Sequence, residues 1–375
     1  MVAFVLLRLA KFVLVLALSC SIGSHWAFLQ SLAWTSMLAA NLRRDSLAQA
    51  VFHIFASVAV LAAVLAPGAA WGCACGCGVF DVATSSMLPN GPGGMLYVQY
   101  DYQDQNMFWG GASPQPSKLF GLHNNDQDIR TDFTDTGVQY MFNRQWGLQV
   151  ELPYDVREYR NNAGWSSTWN AFGDLRVQGI YSGFFPDMSA GVTFGLKLPT
   201  GDDTHDDATP SSPLDRDVQL GTGSTDVLLG GYYRHTLNSL TPGLFWFAQA
   251  QLDVPALIQG GYRPGVEMDT AFGLYYQRMS LGKVQMTPVA QVIPSLRTKD
   301  TGSWASGGAN APGSYPGDPT EVDSGYERVL LSPGLEFDVH PLTIYADVEF
   351  NVYDRVKGYQ LAAPEMFKVL VTYHF

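Results

Sequence analysis

Three cysteines, Cys73, Cys75 and Cys77, stand at alternate positions of the chain. In an extended backbone residues i and i+2 share a face, so the three thiols could point the same way. Two or three thiolates could bind a soft metal such as Cu(I). In an exported segment two could instead pair as a disulfide and leave one for a partner. Cys73 could carry a lipid, since Ala70-Trp-Gly-Cys73 is a degenerate lipobox. A structural tail with neither metal nor redox chemistry is the fourth reading. The spacing is not the C-x-x-C of zinc or thioredoxin sites. The expectation is therefore no cofactor, or at most a soft metal ion at Cys73, Cys75 and Cys77.

Other chemistry-bearing residues are scattered. His123, His205, His235, His340 and His374 fall mostly on turns and loops, and none has a familiar nucleophile spacing. A hydrolase would need a Ser/His or Asp/His constellation, so no catalytic residue and no enzymatic activity are predicted. Gly201-Asp-Asp-Thr-His-Asp-Asp207 could hold Ca²⁺ through several carboxylates, although it lacks the glycine turn of an EF-hand. A solvated loop sharing divalent ions with lipopolysaccharide is the plainer reading.

These residues need elements to position them, and the last nine residues show which. Phe367, Val369, Val371, Tyr373 and Phe375 form one alternating apolar row, opposite Lys368, Thr372 and His374, with Leu370 the exception. Period two means a strand with different solvents on its two faces. A chain ending on such a strand, with a terminal Phe, resembles the C-terminal sorting signal of bacterial outer-membrane β-barrels. The pattern repeats upstream. Strands are predicted at about 95–103, 130–142, 146–156, 173–182, 190–199, 220–235, 243–254, 266–277, 283–296, 326–339 and 342–353, before the terminal one. Pro288 and Pro294 predict a bulge or a frayed upper end in the ninth. Residues 104–128 and 157–172, the latter with Trp165 and Trp169, are read as loops.

The fold class that follows is all-β: a transmembrane antiparallel up-and-down barrel of about twelve strands. Short and long connections alternate, and both barrel termini fall on the short-turn side. In such barrels short turns are periplasmic and long loops extracellular. The apolar rows must face lipid, where every backbone group needs a partner, so the sheet has to close. The opposite rows then line a lumen. They carry Asp101, Glu151, Asp174, Asp226, Glu267, Asp269, Glu336, Asp338, Asp347 and Glu349 against Arg176, Lys197, Arg234, Arg328 and Lys368. Buried charges must pair or stay wet. Such rows either brace the wall or line a water-filled path that disfavours anions.

Two apolar segments precede the barrel. Val51–Ala66 follows Arg43-Arg44 and precedes Pro67-Gly-Ala-Ala-Trp-Gly72, which reads as a secretory signal peptide cleaved after Gly72. Residues 37–72 are then the signal peptide and 1–36 an upstream extension or an additional membrane helix. Residues 73–93 form a Cys-containing tail or plug, and residues 94–375 form the barrel. Among 375 residues, charged side chains are only 15% and aromatics 13%, with 38 glycines, a profile suited to alternating strands with aromatic girdles. A net charge of -12 argues against a nucleic-acid partner.

Gly195-Leu-Lys-Leu-Pro-Thr-Gly-Asp202 and Leu220-Gly-Thr-Gly-Ser-Thr-Asp226 resemble motifs of a family of outer-membrane proteins linked to the meta-pathway of phenol degradation. The clear match covers about residues 170–275 and extends by strand order over 94–375. The resemblance implies a barrel with a transporter-like role and no catalytic residues. The Cys73-x-Cys75-x-Cys77 tail departs from the pattern. The resulting expectation is a bacterial outer-membrane channel for small or hydrophobic solutes. Its partners would be outer-membrane lipids, lipopolysaccharide and the barrel assembly machinery. The alternative is a non-transporting scaffold whose Cys tail binds metal or a periplasmic partner.

Overall fold

The computed structural model describes residues 87–117, 126–205, 214, 216–258, 261–302 and 324–375. The leader, the three clustered cysteines and His123 lie outside the described residues.

Twelve strands form one closed antiparallel ring. They are β1 (Gly93–Gln105), β2 (Asp126–Met141), β3 (Trp146–Asn161), β4 (Leu175–Tyr181), β5 (Ala190–Leu198) and β6 (Ser224–Thr236), then β7 (Leu244–Ile258), β8 (Glu267–Tyr276), β9 (Val284–Arg297), β10 (Tyr326–Val339), β11 (Leu342–Val356) and β12 (Glu365–His374). Each strand pairs with its chain neighbours, and β1 closes the ring on β12 from Met95↔His374 to Gln103↔Met366. Gly94 and Phe375 exchange backbone hydrogen bonds at the seam. Closure leaves no ladder edge open to hydrocarbon.

The sidedness follows from the alternation. Val98 is 40% exposed while Asp101 and Glu349 are fully buried. Apolar side chains thus face outward and charged ones inward, the reverse of a soluble barrel. Aromatic rings cluster on the outer wall at the short-turn end: Tyr140 with Phe142 and Phe375, Trp146 with Tyr181, and Tyr233 with Trp246. Such a girdle marks a membrane interface. The opposite boundary is drawn by charge. Arg130, Asp128 and Arg160 pair on the outer face of β2 and β3, and Tyr100 donates to Asp132 at 2.5 Å just below them. β2 and β3 each have 16 residues, more than the roughly 9–11 needed to cross, so their upper parts stand above the lipid.

Several segments differ from the sequence expectation. Residues 157–161 continue β3, and Ser166–Phe172 pairs back on it from Arg160↔Ser166 to Tyr154↔Phe172. The charged outer row there has loop-like composition, but Arg157 and Tyr159 keep the inward alternation. β6 starts at Ser224 because the Thr222 amide and hydroxyl both bond to Asp174, which holds residues 220–223 in the loop. Within the loop after β1, Met107–Gly110 pairs with Tyr359–Ala362 and with Ser113–Pro114 in a small separate sheet. β9 pairs with β10 in unbroken register past both prolines. On its other side the ladder to β8 skips Thr270 and Ala271, opposite Pro294. A one-residue shift then separates Tyr275↔Val289 from Met279↔Met286.

Candidate functional site

The lumen is built from inward side chains that meet in three charged groups. On β1, β11 and β12, Lys368 Nζ lies 3.0 Å from Glu349 and 3.7 Å from Asp101. Beside them Asp347 accepts from the Ser332 hydroxyl at 2.5 Å and the Tyr345 hydroxyl at 2.7 Å. On β3 and β4, Arg176 is 3.1 Å from Glu151. Tyr97 of β1 donates to the other Glu151 oxygen at 2.6 Å. On β5, β6 and β7, Lys197 sits between Asp226 at 2.5 Å and Asp253 at 2.7 Å. On the far wall Glu267 accepts from the Tyr326 hydroxyl at 2.6 Å, and Asp269 accepts from the Ser295 hydroxyl. Arg328 lies over the Tyr326 ring at 4.8 Å. Glu336 is buried on the same inner row of β10.

Cross-strand register explains why residues far apart in sequence meet. Asp101↔Lys368 and Asp347↔Lys368 are direct pairs, as are Glu151↔Arg176 and Lys197↔Asp226. Opposite charges directly across a ladder attract, which accounts for the Asp101, Glu151 and Asp226 ion pairs. Glu349, directly opposite Met366, reaches Lys368 on the diagonal, while Asp347 is taken by hydroxyls. Desolvation makes each charge costly alone, so the pairs hold one another in place.

The two sides of the lumen differ. Gln99, Gln139, Gln149 and Gln178 form an amide wall over β1 to β4. Tyr232, Phe247, Ala271, Tyr275, Val289, Ile293 and Leu330 form an apolar wall over β6 to β10. Phe245 and Tyr275 stack there with centroids 4.9 Å apart. The alternation in sequence turns Gln99 and Gln149 inward, and Phe245 and Phe247 with them, but the rest of the apolar wall was not read from it. Alternation was visible there, yet both faces of β8 and β9 are apolar.

Two cavities follow one another along the lumen. The lower, about 70 Å³, runs between the amide wall and Met87, Leu88 and Pro89. These residues enter from the short-turn end. The Met87 carbonyl accepts from Gln139 at 3.4 Å, and the Pro89 carbonyl accepts from Arg234 at 3.0 Å. In the adjacent turn Ser189 hydrogen-bonds to Asp187 and holds its carboxyl below the usual range. The upper cavity, about 120 Å³, lies under the long loops. Gln251 borders both cavities, and Glu151 and Arg176 part them. The upper wall carries eight carboxylates against four cationic side chains. Four of the carboxylates, Asp135, Asp155, Asp217 and Asp253, were not among the sequence-derived candidates, although the alternation of β3 and β7 turns Asp155 and Asp253 inward. Threonines flank Asp135 on the outer row, which blurs the two-faced pattern there.

The acidic loop closes over this cavity. Arg216 binds Asp203 at 2.6 Å and lies over the Tyr262 ring at 5.2 Å. Arg157 is fully buried and donates to the Val218 and Gln219 carbonyls at 2.7 and 3.1 Å. Asp203 is thus committed to an arginine, and no set of three metal-ligating side chains converges among the described residues. His205 stacks on Trp169 at 4.2 Å and approaches the Ser167 hydroxyl at 3.3 Å, a pairing that spacing did not reveal.

No family model matches the sequence, and no curated protein matches it. Among solved structures, an outer-membrane channel from Pseudomonas putida F1 matches with a TM-score of 0.56 at 11% identity, over 79% of this chain and 100% of that one. The β domain of a Bordetella autotransporter gives 0.44 at 12% identity, over 76% and 100%. The Pseudomonas putida toluene transporter TodX gives 0.38 at 11% identity, over 82% and 97%. The first likeness supports the fold, and the two lower scores carry no argument. With its apolar outer wall, aromatic girdle and closed ring, the chain folds as a β-barrel of the bacterial outer membrane.

Proposed function

We propose that this barrel is a narrow outer-membrane channel for small solutes, including apolar and aromatic ones. The observation that carries the reading is the pair of cavities in series, flanked by an amide wall and an apolar wall. A lumen serving only as a brace has no need of space at both levels. The acidic excess favours neutral or cationic solutes over anions. The likeness of residues 195–202 and 220–226 to the phenol-degradation family supports a transporter-like role, and the stacked aromatics Phe245 and Tyr275 of the apolar wall suit apolar or aromatic solutes. The reading of residues 73–93 as a plug is supported at their described end, where Met87, Leu88 and Pro89 line the lower cavity. Lipopolysaccharide around the long loops and the barrel assembly machinery are the partners this reading requires. Cys73, Cys75 and Cys77 would then face the periplasm or the lower lumen, available to a soft metal ion.

Liposome swelling with the refolded protein tests the reading. Neutral phenol-sized solutes should enter faster than in empty vesicles. Entry at the rate of protein-free vesicles, with or without residues 73–92, would overturn it.

A further inference from the structure

The upper cavity contains one carboxylate that the lumen's own charges leave unsatisfied. All four of its cationic side chains are engaged: Arg176 with Glu151, Lys197 with Asp226 and Asp253, Arg216 with Asp203, and Arg297 with Asp300. Of the carboxylates, Asp174 is held by the Gly201 amide and by Thr222, and Glu267 and Asp269 take hydroxyls. Asp135 is only 6% exposed, lines the cavity, and makes no hydrogen bond or ion pair among the described residues. Next to it, Asp155 is 5% exposed and its Oδ1 is buried without a hydrogen-bond partner.

Register brings the two together. Asp135 faces Pro153, and Asp155 faces Phe133, on adjacent strands. The two carboxylates are diagonal neighbours on the inner face, about 7–8 Å apart at Cα. A buried carboxylate without a partner is unfavourable until something neutralises it. Arg157 lies beside Asp155, but its guanidinium is directed to Thr131 and to the loop carbonyls.

We infer that Asp135 and Asp155 form a binding subsite for a small organic ammonium ion. The carboxylates supply charge-assisted acceptors for the N–H groups. Phe133, Leu220 and Tyr262, which share the cavity wall, take the ligand's apolar part. An organic cation fits better than a metal ion, because no third metal-ligating side chain joins the pair among the described residues. The inference deepens the channel reading and rests on it, since the ligand reaches the cavity by the solute path.

The test uses benzylammonium, with neutral benzyl alcohol as its isosteric control, by calorimetry on the refolded full-length barrel in detergent. Benzylammonium should bind and benzyl alcohol bind far more weakly. Asp135→Asn should weaken benzylammonium about tenfold or more by removing a charge-assisted partner. Asp155→Asn is the second variant, should the first fail to fold as judged by heat-dependent gel mobility. Potassium chloride should compete only through ionic strength. No binding to the unmodified barrel, or unchanged binding in both variants, would overturn the subsite. Liposome uptake of neutral solutes without benzylammonium binding would leave the channel and remove the subsite. Binding without any uptake would do the reverse.

Discussion

Lys368 is the residue whose removal should be felt most. It is 2% exposed and lies between two buried carboxylates. Lys368→Met would strand Asp101 and Glu349 together. Breaking a buried pair from one side costs about 3–5 kcal/mol, which urea titration of the barrel in lipid should detect. Replacing Asp101 and Glu349 as well, with Asn and Gln, should recover part of that loss. The ionic partners of this group were readable in the sequence. Lys368 alternates with apolar residues in the terminal strand, and Asp347 and Glu349 do so in β11. Which lysine meets which acid was not readable, because that depends on register and closure. Asp135 was not read as inward-facing for a related reason. Its neighbours on the outer row are threonines, which do not identify the lipid side.

At the scale of the strand, the outward rows set where the lipid lies. Val348 is flanked on β11 by buried Asp347 and Glu349, so it points outward. Val348→Arg should cost about 2–4 kcal/mol near the bilayer midplane, against little for Arg at the rim. Equal costs at both depths would contradict the membrane placement. Strands also carry a pattern invisible to periodicity. Gly137, Gly191, Gly273 and Gly334 face the lumen, and an inward aromatic lies over each: Tyr97, Tyr232, Phe247 and Tyr345 respectively. A Cβ at any of them would collide with the ring. Gly334→Val should therefore cost about 1–3 kcal/mol through overpacking, read from the same unfolding titration. Sequence shows the glycines and the aromatics, but only the ladder shows that they cover one another. The extra pairing of Ser166–Phe172 on β3 escaped for another reason: the charged stretch 157–160 and the Ser/Thr-rich segment it pairs with have the composition of a loop, and form a hairpin standing above the membrane.

For the whole molecule, fold class was legible because the apolar alternation persists over the length of the ring. Twelve strands leave a narrow lumen, which side chains and the incoming Met87 and Leu88 narrow further. Function was less legible, since the same alternation would serve a scaffold or a channel. What separates those two is whether solutes and ions pass along the cavities. Single-channel recording of residues 73–375 in planar bilayers, beside a form lacking residues 73–92, addresses this most directly. The account predicts small, cation-favouring conductance steps that grow when the segment bearing Met87 and Leu88 is removed. Anion selectivity, or no conductance from either form, would contradict it.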